Sequence, residues 1–341
     1  MTTSTPVDPG LVHSHTTAAP SSVMHWVMQH YGLKLHHCHL IRRGLNDNYA
    51  LRGLDGARYV ARLCSIRPRG EFNIDFETAL IEHLAASEVG VATPLRSLAD
   101  AGHVRLQFPE GARALAVFHH ADGAVPETLD EFELTEYTLA RIHEASRNYD
   151  GPASRYTLDA HHLAGKTLEY LQHYPELQTQ SLDLYRQHVH ALQEEVSAVE
   201  SCLTRVICHG DTHGFNNHVF TDAGGAKKAV FFDFDDAGPG YLAYDLGVMP
   251  WSYLNRKMLK EPDDVLHDRW KHYLRGYRAA GGEIDKADLE ALPLFMQLRH
   301  LWNLGEAVGR LNHWGTSMAP IDWLQKQIER VEPWKKIDLR G

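Results

Sequence analysis

The spacing of apolar residues divides the chain into a strand-rich first part and a helix-rich second part. In the first 122 residues, short runs of apolar and polar residues are broken by glycine and asparagine turns. A short helix at 24–31 precedes them, and Leu54-Asp55-Gly56 is typical of a hairpin turn. One longer stretch has apolar residues at helical spacing. The pattern predicts a helix at 72–86 and strands at 39–43, 48–52, 58–63, 104–108 and 114–118.

Beyond Asp122-Gly123 the apolar spacing becomes helical. A strand-like segment at 205–241 interrupts amphipathic stretches at 134–145, 167–174, 182–200 and 292–311. We therefore predict an α+β protein with two lobes. The first, at 24–122, is a small antiparallel sheet with one inserted helix, and the second, at 123–341, is mainly helical. Residues 1–23, rich in Ser, Thr, Pro and Ala, are predicted to form a disordered tail.

The net charge of −10 lies wholly in the second part of the chain. Residues 1–123 hold 11 acidic and 11 basic side chains, whereas residues 124–341 hold 33 acidic and 23 basic ones. An acidic surface disfavours nucleic acid as a partner, because phosphate backbones need basic side chains. It suits metal cations and a cationic small-molecule substrate. A surface that is acidic only for solubility explains the same surplus.

The sequence contains neither a membrane-spanning pattern nor a secretory signal. Its apolar runs are far shorter than the ~20 residues that a membrane helix needs. The first 23 residues hold no Lys or Arg, which a secretory signal would need. The four cysteines form no C-x-x-C pair, so we expect reduced thiols and a cytoplasmic location. We expect no membrane partner, and the sequence leaves the oligomeric state open.

A polar loop followed by an apolar strand carries the candidate chemistry. The loop reads C-H-G-D-T-H-G-F-N at 208–216, and the strand reads A-V-F-F-D-F-D-D at 229–236. Phosphoryl transfer needs a carboxylate that orients an attacking hydroxyl and accepts its proton, and oxygen ligands that hold Mg²⁺ against the phosphates. Asp211 fits the first role, and Asn216 and Asp233 fit the second.

This H-G-D-x-x-x-x-N loop, followed by an apolar strand that ends in Asp, resembles the aminoglycoside phosphotransferase superfamily. That group includes type II homoserine kinases, choline and ethanolamine kinases and bacterial stress-response kinases, and it is related to the protein kinases. The resemblance covers about residues 38–250. It implies a two-lobed protein-kinase-like fold and an ATP-dependent, Mg²⁺-dependent enzyme that phosphorylates a hydroxyl group. The Y-D-L sequence at 244–246 also matches this family and implies a structural role for Asp245, and we assign supporting roles to His209 and Asp235 as well.

The first lobe also resembles the nucleotide lobe of this family. R-G-L-N-D-N-Y at 43–49 occupies the place of the phosphate-covering loop, and A-V-F-H-H-A-D-G at 116–123 resembles the hinge whose backbone binds adenine. Y-V-A-R at 59–62 places an arginine where protein kinases have a lysine, and a helix glutamate is expected to pair with it. The resemblance thus implies ATP contacts at Asn46, Asp47, Asn48, Arg62, Glu77, Val117 and His119.

The phosphate acceptor is not encoded in any motif. A small amino-alcohol or a homoserine-like metabolite is the acceptor that we favour. An aminoglycoside antibiotic, a protein Ser/Thr side chain and a non-catalytic pseudokinase remain alternatives. A zinc site at His209, His213 and His218 is disfavoured, because no H-E-x-x-H pattern or Cys pair completes it. Four aromatic residues near 241–253 fit either core packing or a substrate wall.

Overall fold

The computed structural model describes residues 10–66, 71–174, 180–311 and 323–340. Its first lobe contains five strands and two helices in this part of the chain. In chain order these are α1 (Pro20–Tyr31), β1 (Leu35–Arg43), β2 (Asn46–Gly53), β3 (Arg58–Cys64), α2 (Ile74–Ala86), β4 (Val104–Phe108) and β5 (Gly111–His119). Every predicted strand of this lobe is present, with boundaries shifted by a few residues.

The strands form one antiparallel sheet in the order β1-β2-β3-β5-β4. One face packs beneath α1, whose Val23 and Val27 are fully buried against Tyr49 and Val117. The opposite face carries Arg62 and turns toward α2 and the second lobe. The sheet therefore has one closed face and one face that can line a cleft.

The predicted tail at 1–23 lies partly within the described residues. There, α1 begins at Pro20, because proline suits the first turn of a helix. Ala18 is buried, and its carbonyl oxygen accepts a hydrogen bond from the Tyr49 hydroxyl at 2.7 Å. This stretch of the predicted tail is thus packed on the sheet, whereas residues 1–9 lie outside the described residues.

The second lobe is mainly helical around a small β region. Its helices are α3 (Leu129–Ser146), α4 (Lys166–Gln172), α5 (Gln180–Val199), α6 (Leu242–Lys257), α7 (Asp264–Ala279), α8 (Lys286–Val308) and α9 (Trp323–Val331). Two antiparallel pairs join β6 (Arg205–Cys208) to β9 (Gly238–Tyr241) and β7 (Asn217–Thr221) to β8 (Lys227–Phe231). Helix α3 begins five residues before the predicted start, because Thr128 and Glu131 form a capping box. Within the described ranges, no helix is both long enough and apolar enough to cross a membrane.

The two lobes share a core around α2. Leu80 and Leu84 of α2 are fully buried in the same apolar cluster as Leu139 of α3 and Phe231 of β8. A parallel bridge between Val91 and Phe231 adds a backbone link between the lobes. The cleft between the sheet and the β7–β8 pair is therefore held in place by packing on both sides.

Candidate active site

One buried carboxylate fixes the backbone of the loop that joins β6 to β7. Asp245, in the first turn of α6, accepts hydrogen bonds from the N–H groups of His209 at 2.7 Å and Gly210 at 2.9 Å. Asp245 Oδ2 also lies 2.9 Å from His143 Nε2. Burial opposes ionisation of Asp245, but His143, His209 and the Gly210 N–H together outweigh it and lower the pKa of this carboxyl. Asp245 thus holds the backbone of the β6–β7 loop in place.

Replacing Asp245 with alanine is expected to lower the free energy of unfolding by about 3–5 kcal/mol, because two buried N–H groups and His143 lose their partner. Urea denaturation measures this change. Asp150→Ala, at an exposed position after α3, is the matched control and should change stability by less than about 0.5 kcal/mol. Equal stability of Asp245→Ala and the wild-type protein would contradict this role.

Gly210 and His209 fix the path of the loop. Gly210 has a φ of 85°, and a Cβ atom on it would lie 2.2 Å from the carbonyl oxygen of Asp236. Only glycine fits there without displacing the backbone of Asp236. His209 is fully buried, with Nδ1 accepting from the Asp211 N–H at 3.3 Å and Nε2 lying 3.1 Å from the Phe232 carbonyl oxygen. His209 therefore links the loop to the segment that follows β8.

The structure brings Asp211 and Asn216 together. The Asn216 side-chain amide donates to Asp211 Oδ2 at 2.9 Å, and an ion pair joins Asp211 Oδ1 to Arg299 of α8. Burial opposes ionisation of Asp211, but the charges of Arg299, His213 and His209 together outweigh it, so the pKa of this carboxyl lies below its usual value. Asp211 is therefore ionised near neutral pH and is 18% exposed. Such a carboxylate can orient a hydroxyl group.

Asp233 lies next to this loop, because the Phe232 N–H donates to the Asn216 carbonyl oxygen at 3.0 Å. Its φ of 65° is in the left-handed region, and its side chain is 37% exposed. Burial, together with the nearby Asp235 carboxylate, raises the pKa of Asp233 to about 8. A bound cation would relieve that repulsion, and the side-chain oxygens of Asp233 and Asn216 are ligands that Mg²⁺ accepts. The residues present therefore fit a hard divalent cation.

Arg62 connects Asp233 to the first lobe. Its Nη1 donates to Asp233 Oδ1 at 2.9 Å, and its Nη2 forms an ion pair with Glu77 of α2. The Arg62 and Glu77 side chains are only 4% and 1% exposed. The ion pair predicted from the sequence is thus present, and it places a permanent positive charge beside the candidate metal ligand.

The side chains of the three residues predicted to contact the phosphates, Asn46, Asp47 and Asn48, do not lie on the same face of the sheet. Asn48 lines the cleft, and Asn46 links the lobes by donating to Asp235 Oδ2 at 2.7 Å. Asp47 points to the other face of β2, as side chains alternate along a strand. It is fully buried, and its Oδ2 accepts a hydrogen bond from Arg113 at 2.9 Å. Asp47 therefore stabilises the lobe and has no place in the cleft.

The cleft has a volume of about 780 Å³, and its walls come from β1, β2, β3, the end of β5 and the β7–β8 pair. Val117 faces the other side of the sheet and is fully buried, whereas Phe118 and His119 line the cleft. The Val117 carbonyl accepts from the Leu95 N–H, and the His119 N–H donates to the Thr93 carbonyl. The Val117 carbonyl and the His119 N–H therefore already have partners, and the hinge contact to adenine stays a prediction.

Sequence reasoning missed Arg299 and Phe118. Arg299 follows Leu292 and Phe295 at helical spacing, and a charge at such a core position is the signal that could have identified it. Phe118 follows from strand alternation once Arg62 is placed on the cleft face, because Phe118 packs against its guanidinium at 5.0 Å. The four aromatic residues of 241–253 are buried, as core packing predicts.

Comparison with known proteins finds a matching family and a relative of similar length. Residues 38–282 match the family described as APH, the phosphotransferase enzyme family. A Deinococcus radiodurans protein described as uncharacterized is 30% identical over 326 residues, which cover 94% of this chain and 92% of that protein.

Two solved structures share the fold. An amicoumacin kinase in complex with AMP-PNP, Ca²⁺ and Ami has a TM-score of 0.74 and 21% identity, and the match covers 94% of this chain and 96% of that one. A microcompartment-associated aminopropanol kinase has a TM-score of 0.69 and 21% identity, with 92% and 95% covered.

Proposed function

Because this chain belongs to the phosphotransferase enzyme family, we propose that it transfers the γ-phosphoryl group of ATP to a hydroxyl group of a small molecule, with Mg²⁺ as cofactor. One observation carries the proposal. Asn216 bonds the Asp211 carboxylate through its side chain and the residue before Asp233 through its backbone, and Asp233 lines a cleft large enough for a nucleotide. Oxygen ligands, a hydroxyl-orienting carboxylate and a cleft are what phosphoryl transfer requires.

In this mechanism the apolar wall of Val60, Ala92 and Phe118 holds the base, and the phosphates extend toward Arg62. Asn216 and Asp233 would hold Mg²⁺, which supplies charge neutralisation at the phosphates. Asp211 orients the acceptor hydroxyl and accepts its proton as the acceptor oxygen bonds to the γ-phosphorus. The bond from that phosphorus to the β–γ bridging oxygen breaks, and ADP leaves with the bonding electrons.

Arg62→Ala is expected to weaken ATP binding and slow transfer by about tenfold or more each, because the cleft loses a desolvated cation and Glu77 loses its partner. Arg62→Lys should recover much of both, since it restores the charge without the fork of donors. Calorimetric titration with ATP and steady-state kinetics measure the two effects. Arg96→Ala, at an exposed ion pair with Glu82 of α2, is the matched control because Arg96 is not among the residues that line the cleft. Unchanged affinity and rate in Arg62→Ala would contradict the role.

For the acceptor, we propose an amino-alcohol or a homoserine-like metabolite. The acidic surplus of the second part of the chain favours a cationic group on it. The aminopropanol kinase that shares this fold acts on an acceptor of that type by its name. The free thiols of all four cysteines suit the cytoplasmic location that we propose for this reaction.

An ATP-consumption screen tests the proposal. The panel comprises 1-amino-2-propanol, ethanolamine, choline, homoserine and several aminoglycosides, each with Mg²⁺ and with excess chelator. Acceptor-dependent ADP release with an amino-alcohol or homoserine supports the proposed substrate class. Turnover only with aminoglycosides or with protein acceptors would replace that class. No turnover with any of them, although ATP binds, would favour a pseudokinase.

A further inference from the structure

Helix α8 carries a buried arginine whose guanidinium reaches the loop between β6 and β7. The Arg299 side chain is only 3% exposed. Its Cζ atom lies 4.2 Å from the ring centroid of Trp302 and 4.9 Å from that of Trp251. Burying a charge is costly unless partners compensate it, so the groups that Arg299 binds indicate its role.

Two of those groups belong to adjacent residues of the loop, and a third belongs to Tyr244 of α6. Arg299 Nη1 donates to the Gly210 carbonyl oxygen at 3.0 Å and to the Tyr244 hydroxyl at 3.1 Å. Arg299 Nη2 forms the ion pair with Asp211 Oδ1. The Tyr244 hydroxyl in turn donates to the Gly210 carbonyl oxygen at 3.2 Å. One planar group therefore holds both the backbone before Asp211 and the carboxylate of Asp211 itself.

We propose that Arg299 is a positioning residue for phosphoryl transfer, which fixes the orientation of the Asp211 carboxylate. This inference rests on the proposed function. Because the guanidinium is a rigid fork of donors, it restrains Asp211 Oδ1 relative to the Gly210 backbone. Asp211 Oδ2, which accepts from Asn216 at 2.9 Å, is then held where it can meet the acceptor hydroxyl. Misplacing a reacting group by about 1 Å can cost ~10²-fold in rate.

A role confined to stability would have a different signature. Such an arginine would contribute to the free energy of unfolding, and its loss would not depend on Asp211. Arg310, which follows α8, offers a matched comparison because it is also buried and pairs with Glu306 at 3.3 Å. That ion pair joins two residues four positions apart at the end of α8, and neither belongs to the β6–β7 loop. Arg310→Gln therefore controls for the loss of a buried arginine.

The experiment compares Arg299→Gln, Arg299→Lys and Arg310→Gln with the wild-type protein. It measures kcat and KM with Mg-ATP and the best acceptor of the panel, together with calorimetric ATP binding and thermal unfolding. We expect Arg299→Gln to lower kcat by about 10²-fold, with ATP binding changed by less than about twofold, since Gly210, Asp211 and Tyr244 are not among the residues that line the cleft. Arg299→Lys should retain more activity than Arg299→Gln, because a point charge can still reach one of the three acceptors. Arg310→Gln should keep the wild-type kcat.

A double-mutant cycle with Asp211→Asn separates positioning from stability. If Arg299 acts through Asp211, Arg299→Gln should slow the residual activity of Asp211→Asn by less than about threefold, far below its effect in the wild-type background. Additive losses, a normal kcat in Arg299→Gln, or failure of both Arg299 variants to fold would overturn the inference while leaving the proposed function intact. Absence of turnover in the wild-type protein would contradict the function, and the inference with it.

Discussion

Replacing Asp211 with asparagine is expected to lower kcat by about 10²-fold or more, while the protein stays folded. Asparagine keeps the shape of the side chain and one oxygen for Arg299, but it cannot accept the proton of the acceptor hydroxyl. Steady-state ADP release with the best acceptor of the panel measures the change. Calorimetry should show nearly unchanged ATP affinity, because Asp211 faces the acceptor side of the transferred group.

Asp222→Asn is the control for this variant. Asp222 lies in the β7–β8 turn, where its Oδ1 accepts from the Gly224 N–H at 2.9 Å, and asparagine can keep that bond. We expect this variant to have the wild-type kcat. A near-normal kcat in Asp211→Asn would show that another group orients the hydroxyl, and His213, which lies 3.4 Å from Asp211 Oδ2, would be examined next.

The sequence predicted the family and the two-lobed fold, and both predictions are confirmed by the comparisons. These predictions succeeded because their signals are local. Strands alternate with a period of two, and the loop motif holds Asp211 and Asn216 within six consecutive residues. The ion pair between Arg62 and Glu77 was also predictable, since a strand and the following helix lie side by side in this fold.

The residue that the sequence analysis missed and the one that it misplaced also have physical explanations. Arg299 is 88 residues away from Asp211 in the chain, so only tertiary packing brings the two together. Asp47 was assigned to the phosphates with its two neighbours, although a strand sends every second side chain to the opposite face. Its burial with Arg113 also required knowing that α1 and the residues before it cover that face. Long-range contacts and sheet faces were therefore the information that the motifs lacked.

Removing the carboxylate of Asp233 is expected to abolish the Mg²⁺ dependence of ATP binding. In the wild-type protein, Mg²⁺ should tighten ATP binding, because oxygen ligands of Asp233 and Asn216 hold the cation against the phosphates. Loss of this charged ligand should lower the affinity for Mg-ATP by at least about tenfold and leave ATP affinity the same with and without Mg²⁺. Isothermal titration with ATP, in Mg²⁺ and in chelator, measures the difference for Asp233→Ala.

The left-handed backbone at Asp233 requires a second variant, since alanine is strained at a φ of 65°. Asparagine tolerates that conformation, keeps an oxygen and removes the charge, so Asp233→Asn should fold normally and bind Mg-ATP more weakly than the wild-type protein. Asp150→Ala, at an exposed loop position, should retain the full Mg²⁺ effect. The same Mg²⁺ dependence in both Asp233 variants and the wild-type protein would show that the cation is held elsewhere.

The ATP affinity without Mg²⁺ should stay equal or rise in these variants. Arg62 contacts Asp233 at 2.9 Å, and once this contact is lost the guanidinium can turn toward the phosphates.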